Sequence, residues 1–296
     1  MNLLVTGAWS GAKENIKKLE VLGHQICFMQ FEGEKLPCSY EWVEGVICNG
    51  LFLTHNIEKF LNLRYIQLTS AGFDRVPMDY VKKKGIKINN ARGVYSIPMA
   101  EFAILGVLQL YKQAKFFLEN QMKPKWEKHR GLLEVYGKRV CIIGCGNVGT
   151  ECAIRFKAFG CKVIGVDLFP RDDLNYDDMV SLSKLDEQLS VADVIILTLP
   201  LTENTKYIMN RERFAILKKT SVIVNISRGA VVDMEALIEV LPTLGGAVLD
   251  VFEEEPLDNE NPLWHMRNVI ITPHNSFVGD GNKDRMTKVV FERLEG

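Results

Sequence analysis

Short apolar runs separated by turns and helix-period stretches dominate the first third of the chain. Leu3-Leu4-Val5 precedes Gly7 and a helix-like stretch reaching Leu22. Ile26-Cys27-Phe28, Gly45 to Cys48, Tyr65 to Leu68 and Ile86-Lys87-Ile88 follow. Such alternation predicts parallel strands with helices on both faces of the sheet. A long helix is predicted from about Ser96, a suitable N-cap, with Pro98 fitting the first turn and an apolar pattern running to Phe117. The segment Lys123 to Lys138 is polar and turn-rich and reads as a linker.

A second strand series follows: Val140 to Ile143, Val163 to Val166, Val194 to Leu199, Val222 to Asn225, Ala247 to Val251 and Val269 to Ile271. Most of these runs end at Gly, Pro, Asp or Asn. Continuous apolar runs fit strands buried on both faces, and six of them with helices between predict a doubly wound domain. Two α/β domains joined at the Ser96 helix are therefore expected, with one more helix from about Asn282.

Length agrees, since 296 residues correspond to about two domains. With 47% apolar and 25% charged residues the chain is neither disordered nor of low complexity. Lys and Arg (36) nearly balance Asp and Glu (37), so no nucleic-acid partner and no acidic membrane surface is indicated. Lys82-Lys83-Lys84 and Lys123 to Arg130 read as solvated faces. No apolar run approaches the ~18 residues of a membrane span, and no secretory pattern opens the chain. Seven cysteines lack any Cys-x-x-Cys pair or zinc-site spacing. They read as buried reduced thiols in a cytoplasmic protein, with no metal site.

The chemistry begins at Gly144-Cys-Gly146-Asn-Val-Gly149, a G-x-G-x-x-G turn between a strand and a helix. Gly144 permits the tight turn, Gly146 the close approach of a pyrophosphate, and Gly149 the packing of helix on strand. Asp167 ends the next strand, 18 residues beyond Gly149. There a carboxylate binds a ribose and repels a 2′-phosphate, which favours NAD over NADP; Arg171 could soften that preference. An N-terminal Thr6-Gly7 to Gly11 turn with Tyr80 and Lys84 imitates another dehydrogenase pattern, but the spacing is wrong and it reads as a plain turn.

Three later motifs sit at predicted carboxyl ends of strands, where such sheets bind ligands. They are Asn225-Ile-Ser-Arg228-Gly, Asp250-Val-Phe-Glu-Glu-Glu255-Pro256 and Thr272-Pro273-His274. An Arg fork suits a substrate carboxylate, and a His beside a carboxylate can exchange a proton with a carbinol oxygen. His24, His55, His129 and His265 lack such a context and read as structural.

With Thr69 to Asp74, Asn90 to Phe102 and Leu199 to Thr205, these motifs resemble the NAD-dependent D-isomer-specific 2-hydroxyacid dehydrogenases over nearly the whole chain. That family includes phosphoglycerate, hydroxypyruvate–glyoxylate and D-lactate enzymes. The resemblance implies a Rossmann cofactor domain, residues 95–274, inserted in a flavodoxin-like substrate domain, residues 1–94 plus 275–296. It implies Arg228, Glu255 and His274 as catalytic residues. Gly144, Gly146, Asn147, Val148, Gly149, Asp167, Leu199, Pro200, Thr205, Ile226 and Asp250 would hold NAD, with Asp250 on the nicotinamide carboxamide. Backbone N–H groups of Ala71 and Gly72, with Arg228 and His274, would hold a small 2-keto or 2-hydroxy acid. A homodimer is implied, and Trp126 resembles a residue that reaches a neighbouring active site in some relatives.

Two departures stand out. Asn275-Ser276-Phe277 replaces the usual aliphatic and small residues after the His, and the chain ends soon after its last helix begins, where relatives usually continue. An alternative is an NAD(H)-binding scaffold similar to the corepressors of this superfamily, or a catalytically impaired relative. Glu255 argues against the formate dehydrogenase branch, which pairs its His with Gln.

Overall fold

A computed structural model describes residues 1–295, and the predicted alternation divides there into two units. The first comprises Met1–Tyr95 and the C-terminal segment from Gly279; the second is Ser96–Val278. Both crossings lie later than the sequence suggested, by one residue at Ser96 and by four at Gly279. The second displacement has a physical cause. The amides of Asn275 and Ser276 donate to the buried Asp250 carboxylate at 2.7 and 3.0 Å, tying this segment to the second unit.

In chain order the first unit runs β1 (Asn2–Thr6), α1 (Ala12–Val21), β2 (Gln25–Met29), β3 (Gly45–Cys48), β4 (Tyr65–Leu68), α2 (Met78–Lys84) and β5 (Lys87–Asn89). Its strands form one parallel sheet in the order β2-β1-β3-β4-β5. Successive residues of a strand point to opposite faces. Leu4 and Val46 accordingly enter one apolar cluster while Leu3, Val5 and Ile47 enter another.

The second unit runs α3 (Ser96–Tyr111), α4 (Ala114–Met122), β6 (Arg139–Ile143), α5 (Asn147–Ala158), β7 (Lys162–Asp167), β8 (Asp178–Ser181), α6 (Leu185–Val191), β9 (Val194–Leu197), α7 (Arg211–Ala215), β10 (Val222–Asn225), α8 (Met234–Val240), β11 (Gly246–Leu249) and β12 (Val269–Ile271). Seven parallel strands pair in the order β12-β11-β10-β9-β6-β7-β8. Val140 and Ile142 of β6 face one cluster, Cys141 and Ile143 the other. Helix α3 lies close on the sheet because Gly106 has no side chain: a Cβ there would stand 2.6 Å from Val248 Cγ1.

Three elements differ from the sequence expectation. β8 is an additional edge strand whose residues, Asp-Met-Val-Ser, contain no apolar run. The helix expected to continue to Phe117 stops at Tyr111. Gln113 takes a left-handed φ of 53°, and its own amide and side-chain nitrogens both occupy the Leu110 carbonyl. Helix α4 then starts anew with no buried residue. Strand β9 ends at Leu197, two residues early, because Thr198 and Leu199 turn to meet the glycine loop.

Helix α9 (Asn282–Glu295) belongs to the first unit. Met286 and Val290 join the cluster of Leu3, Val5 and Trp9, and Trp9 Nε1 donates to Thr287 Oγ1 at 3.3 Å. Short though the final segment is, it docks on that sheet. Among the described residues no helix is long and apolar enough to cross a membrane.

Candidate active site

The chain leaves β6 toward β7 on one side and returns through β9 on the other, so the second sheet changes winding direction between β6 and β9. Ligands of open α/β sheets bind beyond such a point. Gly144 turns there with φ 95°, and a Cβ on it would stand 2.7 Å from the Leu199 nitrogen. The turns after β6 and β9 therefore touch, and only glycine fits between them. Thr198 Oγ1 closes the contact by donating to the Gly144 carbonyl at 2.6 Å.

Gly146 caps α5 in extended backbone and is exposed, with nothing within 4 Å of its absent Cβ. Asn147 and Val148 form the first turn of α5, whose N–H groups have no partner within the helix. Gly149 is buried, 2.3 Å from the Gly144 oxygen at its notional Cβ. This is an open, donor-rich cradle at a helix N-terminus, and it fits a pyrophosphate. Asp167 braces it: Oδ2 accepts from the Cys145 amide at 2.7 Å and Oδ1 from the Phe169 amide at 3.1 Å. Arg171 reaches the Cys145 carbonyl at 3.0 Å and Asp173 at 3.1 Å.

The remaining predicted cofactor residues are placed unequally. Leu199 and Ile226 are buried beneath the cradle's edge, and Pro200 is exposed beside it. Thr205 offers no open hydroxyl. It is buried, donates to the Pro200 carbonyl at 2.7 Å and accepts from the Thr202 amide at 2.7 Å, so it shapes the loop. Asp250 is engaged by the chain itself. It has no exposed surface, and its carboxylate accepts from Thr272 Oγ1 at 2.6 Å as well as from the Asn275 and Ser276 amides. It anchors the segment carrying His274.

That anchoring sets the local backbone. His274 takes a left-handed φ of 51°, its amide donating to the Asp250 carbonyl at 2.8 Å. Its Nδ1 lies 2.9 Å from Glu255 Oε2, while Glu255 Oε1 accepts from the Phe252 amide at 3.0 Å. Glu255 is thus the paired member of the acidic run, whereas Glu253 accepts from the Tyr207 hydroxyl at 2.8 Å. A carboxylate accepts only, so Nδ1 carries its hydrogen and Nε2 remains for proton exchange. His274 and Glu255 are part-exposed, at 43% and 38% of their side chains, so a small solute can reach them. The Phe277 ring stands edge-on to the imidazole, with centroids 6.1 Å apart.

Arg228 follows β10 on a turn shaped by Asn225, whose Nδ2 donates to the Arg228 carbonyl at 3.0 Å. Gly229 then presses against the acidic loop, and a Cβ there would fall 1.9 Å from the Phe252 carbonyl carbon. The Arg228 turn and the Glu255 loop are in backbone contact for that reason. Thr198 was not singled out in the sequence, and Thr272 and Gly229 stood there only as members of the motifs around His274 and Arg228. A hydroxyl two residues before a candidate His and a Gly directly after a candidate Arg are the signals that pointed to the last two.

Ala71 and Gly72 lie in the first unit, after β4. The carbonyls of Ser70, Ala71 and Gly72 accept from the Ala91 amide at 2.9 Å, Asn90 Nδ2 at 2.5 Å and Ser70 Oγ at 3.0 Å.

Residues 104–276 match the model of the D-isomer specific 2-hydroxyacid dehydrogenase NAD binding domain. A glyoxylate reductase of Korarchaeum cryptofilum is 32% identical over 239 residues, 78% of this chain and 72% of the relative. A D-3-phosphoglycerate dehydrogenase of Methanocaldococcus jannaschii is 33% identical over 255 residues, 84% of this chain but 48% of that longer protein. The structure of D-lactate dehydrogenase from Aquifex aeolicus, complexed with NAD and lactic acid, superposes with a TM-score of 0.79 at 28% identity, covering 99% of this chain and 94% of that one. The chain therefore belongs to the D-isomer specific 2-hydroxyacid dehydrogenase family, a family of NAD-dependent oxidoreductases.

Proposed function

We propose that this enzyme reduces a small 2-keto acid to the D-2-hydroxy acid with NADH, or runs the reverse, using Arg228, Glu255 and His274. The observation that carries the reading is the 2.9 Å bond between His274 Nδ1 and Glu255 Oε2, which leaves Nε2 to exchange a proton. NAD, when bound, accepts or supplies the hydride. His274 donates its Nε2 proton to the substrate oxygen as negative charge develops there, and takes it back in the oxidative direction. Glu255 orients the ring and gives the imidazolium a counter-charge. Arg228 offers a planar fork to the carboxylate and carbonyl oxygens. The amides of Ala71 and Gly72 would take the carboxylate, as the resemblance implies. Gly144, Gly146, Asn147, Val148 and Gly149 would hold the pyrophosphate of bound NAD, and Asp167 the ribose.

Glyoxylate is the first substrate to test, because several relatives are named for reducing it. NADH oxidation is followed against glyoxylate, hydroxypyruvate, pyruvate and branched or aromatic 2-keto acids, with His274→Ala as control. Turnover of one member, lost in the variant while NADH still binds by fluorescence, supports the reading. No turnover with NADH bound moves the chain to the scaffold class.

A homodimer and a cytoplasmic setting complete the proposal. Trp126, Met122, Leu174 and Phe169 of the second unit are 99%, 84%, 97% and 80% exposed, apolar side chains that a second copy could cover. All seven cysteines are free thiols, as a reducing compartment keeps them.

A further inference from the structure

In the first unit the order β2-β1-β3-β4-β5 puts the change of winding direction between β1 and β3. The crevice beyond that point is where such a sheet takes a ligand. Here a side chain of the chain itself fills it. Glu32, three residues past β2, accepts from Thr6 Oγ1 and from the Asn49 amide, both at 2.7 Å, on Oε1. Its Oε2 accepts from the Gly50 amide at 2.6 Å. Thr6 ends β1, and Asn49 and Gly50 follow β3 directly.

The backbone of Glu32 is fixed as firmly as its carboxylate. Its carbonyl is paired with Thr54 Oγ1 at 2.8 Å and with Nε2 of the buried His55 at 3.0 Å. His55 Nδ1 is in turn paired with the Tyr40 hydroxyl at 3.0 Å. Nearby, Asn49 Oδ1 is a buried acceptor with no hydrogen-bond partner among the described residues. The crevice therefore holds a carboxylate, and the two loop amides that could have chelated an anion are already engaged. The charge acts on its surroundings: burial pushes the Cys48 thiol well up, and Glu32 pushes it further.

This crevice lies one strand from the loop proposed above to hold the substrate carboxylate. β3 and β4 are paired neighbours, and the Thr69 amide donates to the Cys48 carbonyl at 2.8 Å where both strands end. Adjacent strands are about 4.8 Å apart, so the loops carrying Ala71–Gly72 and Asn49–Gly50 leave neighbouring strands at the same end of the sheet. We infer that Glu32 is a selectivity residue: it rejects 2-keto acids with an anionic tail and admits those with a short uncharged or hydroxyl-bearing tail. This rests on the proposed reduction of a 2-keto acid. Arg75 opposes the effect, its Cδ lying 3.7 Å from a notional Cβ on Gly50. Being exposed, it is screened by water and salt, whereas Glu32 is half-buried.

The test compares kcat/KM within matched pairs, hydroxypyruvate against phosphohydroxypyruvate and 2-oxovalerate against 2-oxoglutarate, in the wild-type enzyme and in Glu32→Gln. The wild type is expected to favour the uncharged member of each pair by about 100-fold or more. Glu32→Gln keeps the shape without the charge and is expected to narrow both ratios by about tenfold, chiefly through KM for the anionic member. Wild-type preference for the anionic tails, or unchanged ratios in a folded variant, overturns the inference. Should the variant fail to fold, the wild-type ratios decide alone. Reduction of glyoxylate together with reversed ratios removes the Glu32 role and leaves the proposed reaction standing. Failure to reduce any of these acids removes both.

Discussion

Glu255 divides its two oxygens between a backbone and a ring: Oε1 accepts from the Phe252 amide at 3.0 Å, and Oε2 lies 2.9 Å from His274 Nδ1. Only one ring nitrogen is then left for chemistry, and its direction is set by the loop that holds Glu255. Replacing Glu255 by Gln removes the counter-charge while preserving the shape. The expected outcome is a fall of about 100-fold in kcat for keto-acid reduction, with NADH affinity by fluorescence unchanged. A kcat within about threefold of wild type would remove Glu255 from the proposed mechanism.

Gly229 tests the same arrangement from the other side. With the Phe252 carbonyl carbon 1.9 Å from its notional Cβ, Gly229→Ala must push the acidic loop away from the Arg228 turn. Overpacking of this kind costs about 1–3 kcal/mol, and a displacement of an ångström at reacting groups costs about 100-fold in rate. Thermal unfolding and kcat measured on the same preparation check both. Retained activity would show that the loop yields without moving Glu255.

Asp250 is expected to matter for stability before cofactor affinity. Asp250→Ala leaves Thr272 Oγ1 and the amides of Asn275 and Ser276 without their acceptor. Only the Ser276 amide is buried, and an unsatisfied buried donor costs about 1–3 kcal/mol, so urea unfolding should show a loss of about that size. An unchanged midpoint with weakened NADH binding would instead restore the carboxamide role.

The cysteines give a pH prediction. Burial pushes the Cys141, Cys145 and Cys152 thiols up to about 12. At pH 8 only about one such thiol in ten thousand is ionised, so native protein should react slowly with a disulfide reagent at these positions. Unfolded thiols ionise near pH 8.5, about three units lower. With the folded value raised, the stabilisation is complete below that pH and is lost as pH rises toward about 12. Denaturation midpoints across this alkaline range check the sign. Rapid native labelling of Cys152 would contradict the burial.

Much of this molecule was legible in one dimension because the signals are local. A strand buried on both faces must be a continuous apolar run, so Val140 to Ile143 and Val222 to Asn225 announced themselves. A pyrophosphate turn needs glycines at fixed spacing, which exposed Gly144, Gly146 and Gly149. Those features, with the Arg, Glu-Pro and Pro-His motifs, were enough to indicate the family and the candidate catalytic residues. Tertiary structure alone decided what depends on partners distant in sequence. Edge strand β8 draws its stability from pairing with β7 rather than from its own residues. The break at Gln113 depends on which group takes the Leu110 carbonyl, and the apolar pattern runs through it unaltered. The donors and acceptors that tie down Asp250 and Thr205, among them Thr272, Ser276 and Pro200, are likewise set by the folded chain. Glu32, unremarked in the sequence, gained its place from Thr6, Asn49 and Gly50, residues that only the parallel sheet brings to one crevice. Periodicity and glycine spacing are properties of a segment, whereas the satisfaction of a buried polar group is a property of the whole packed chain.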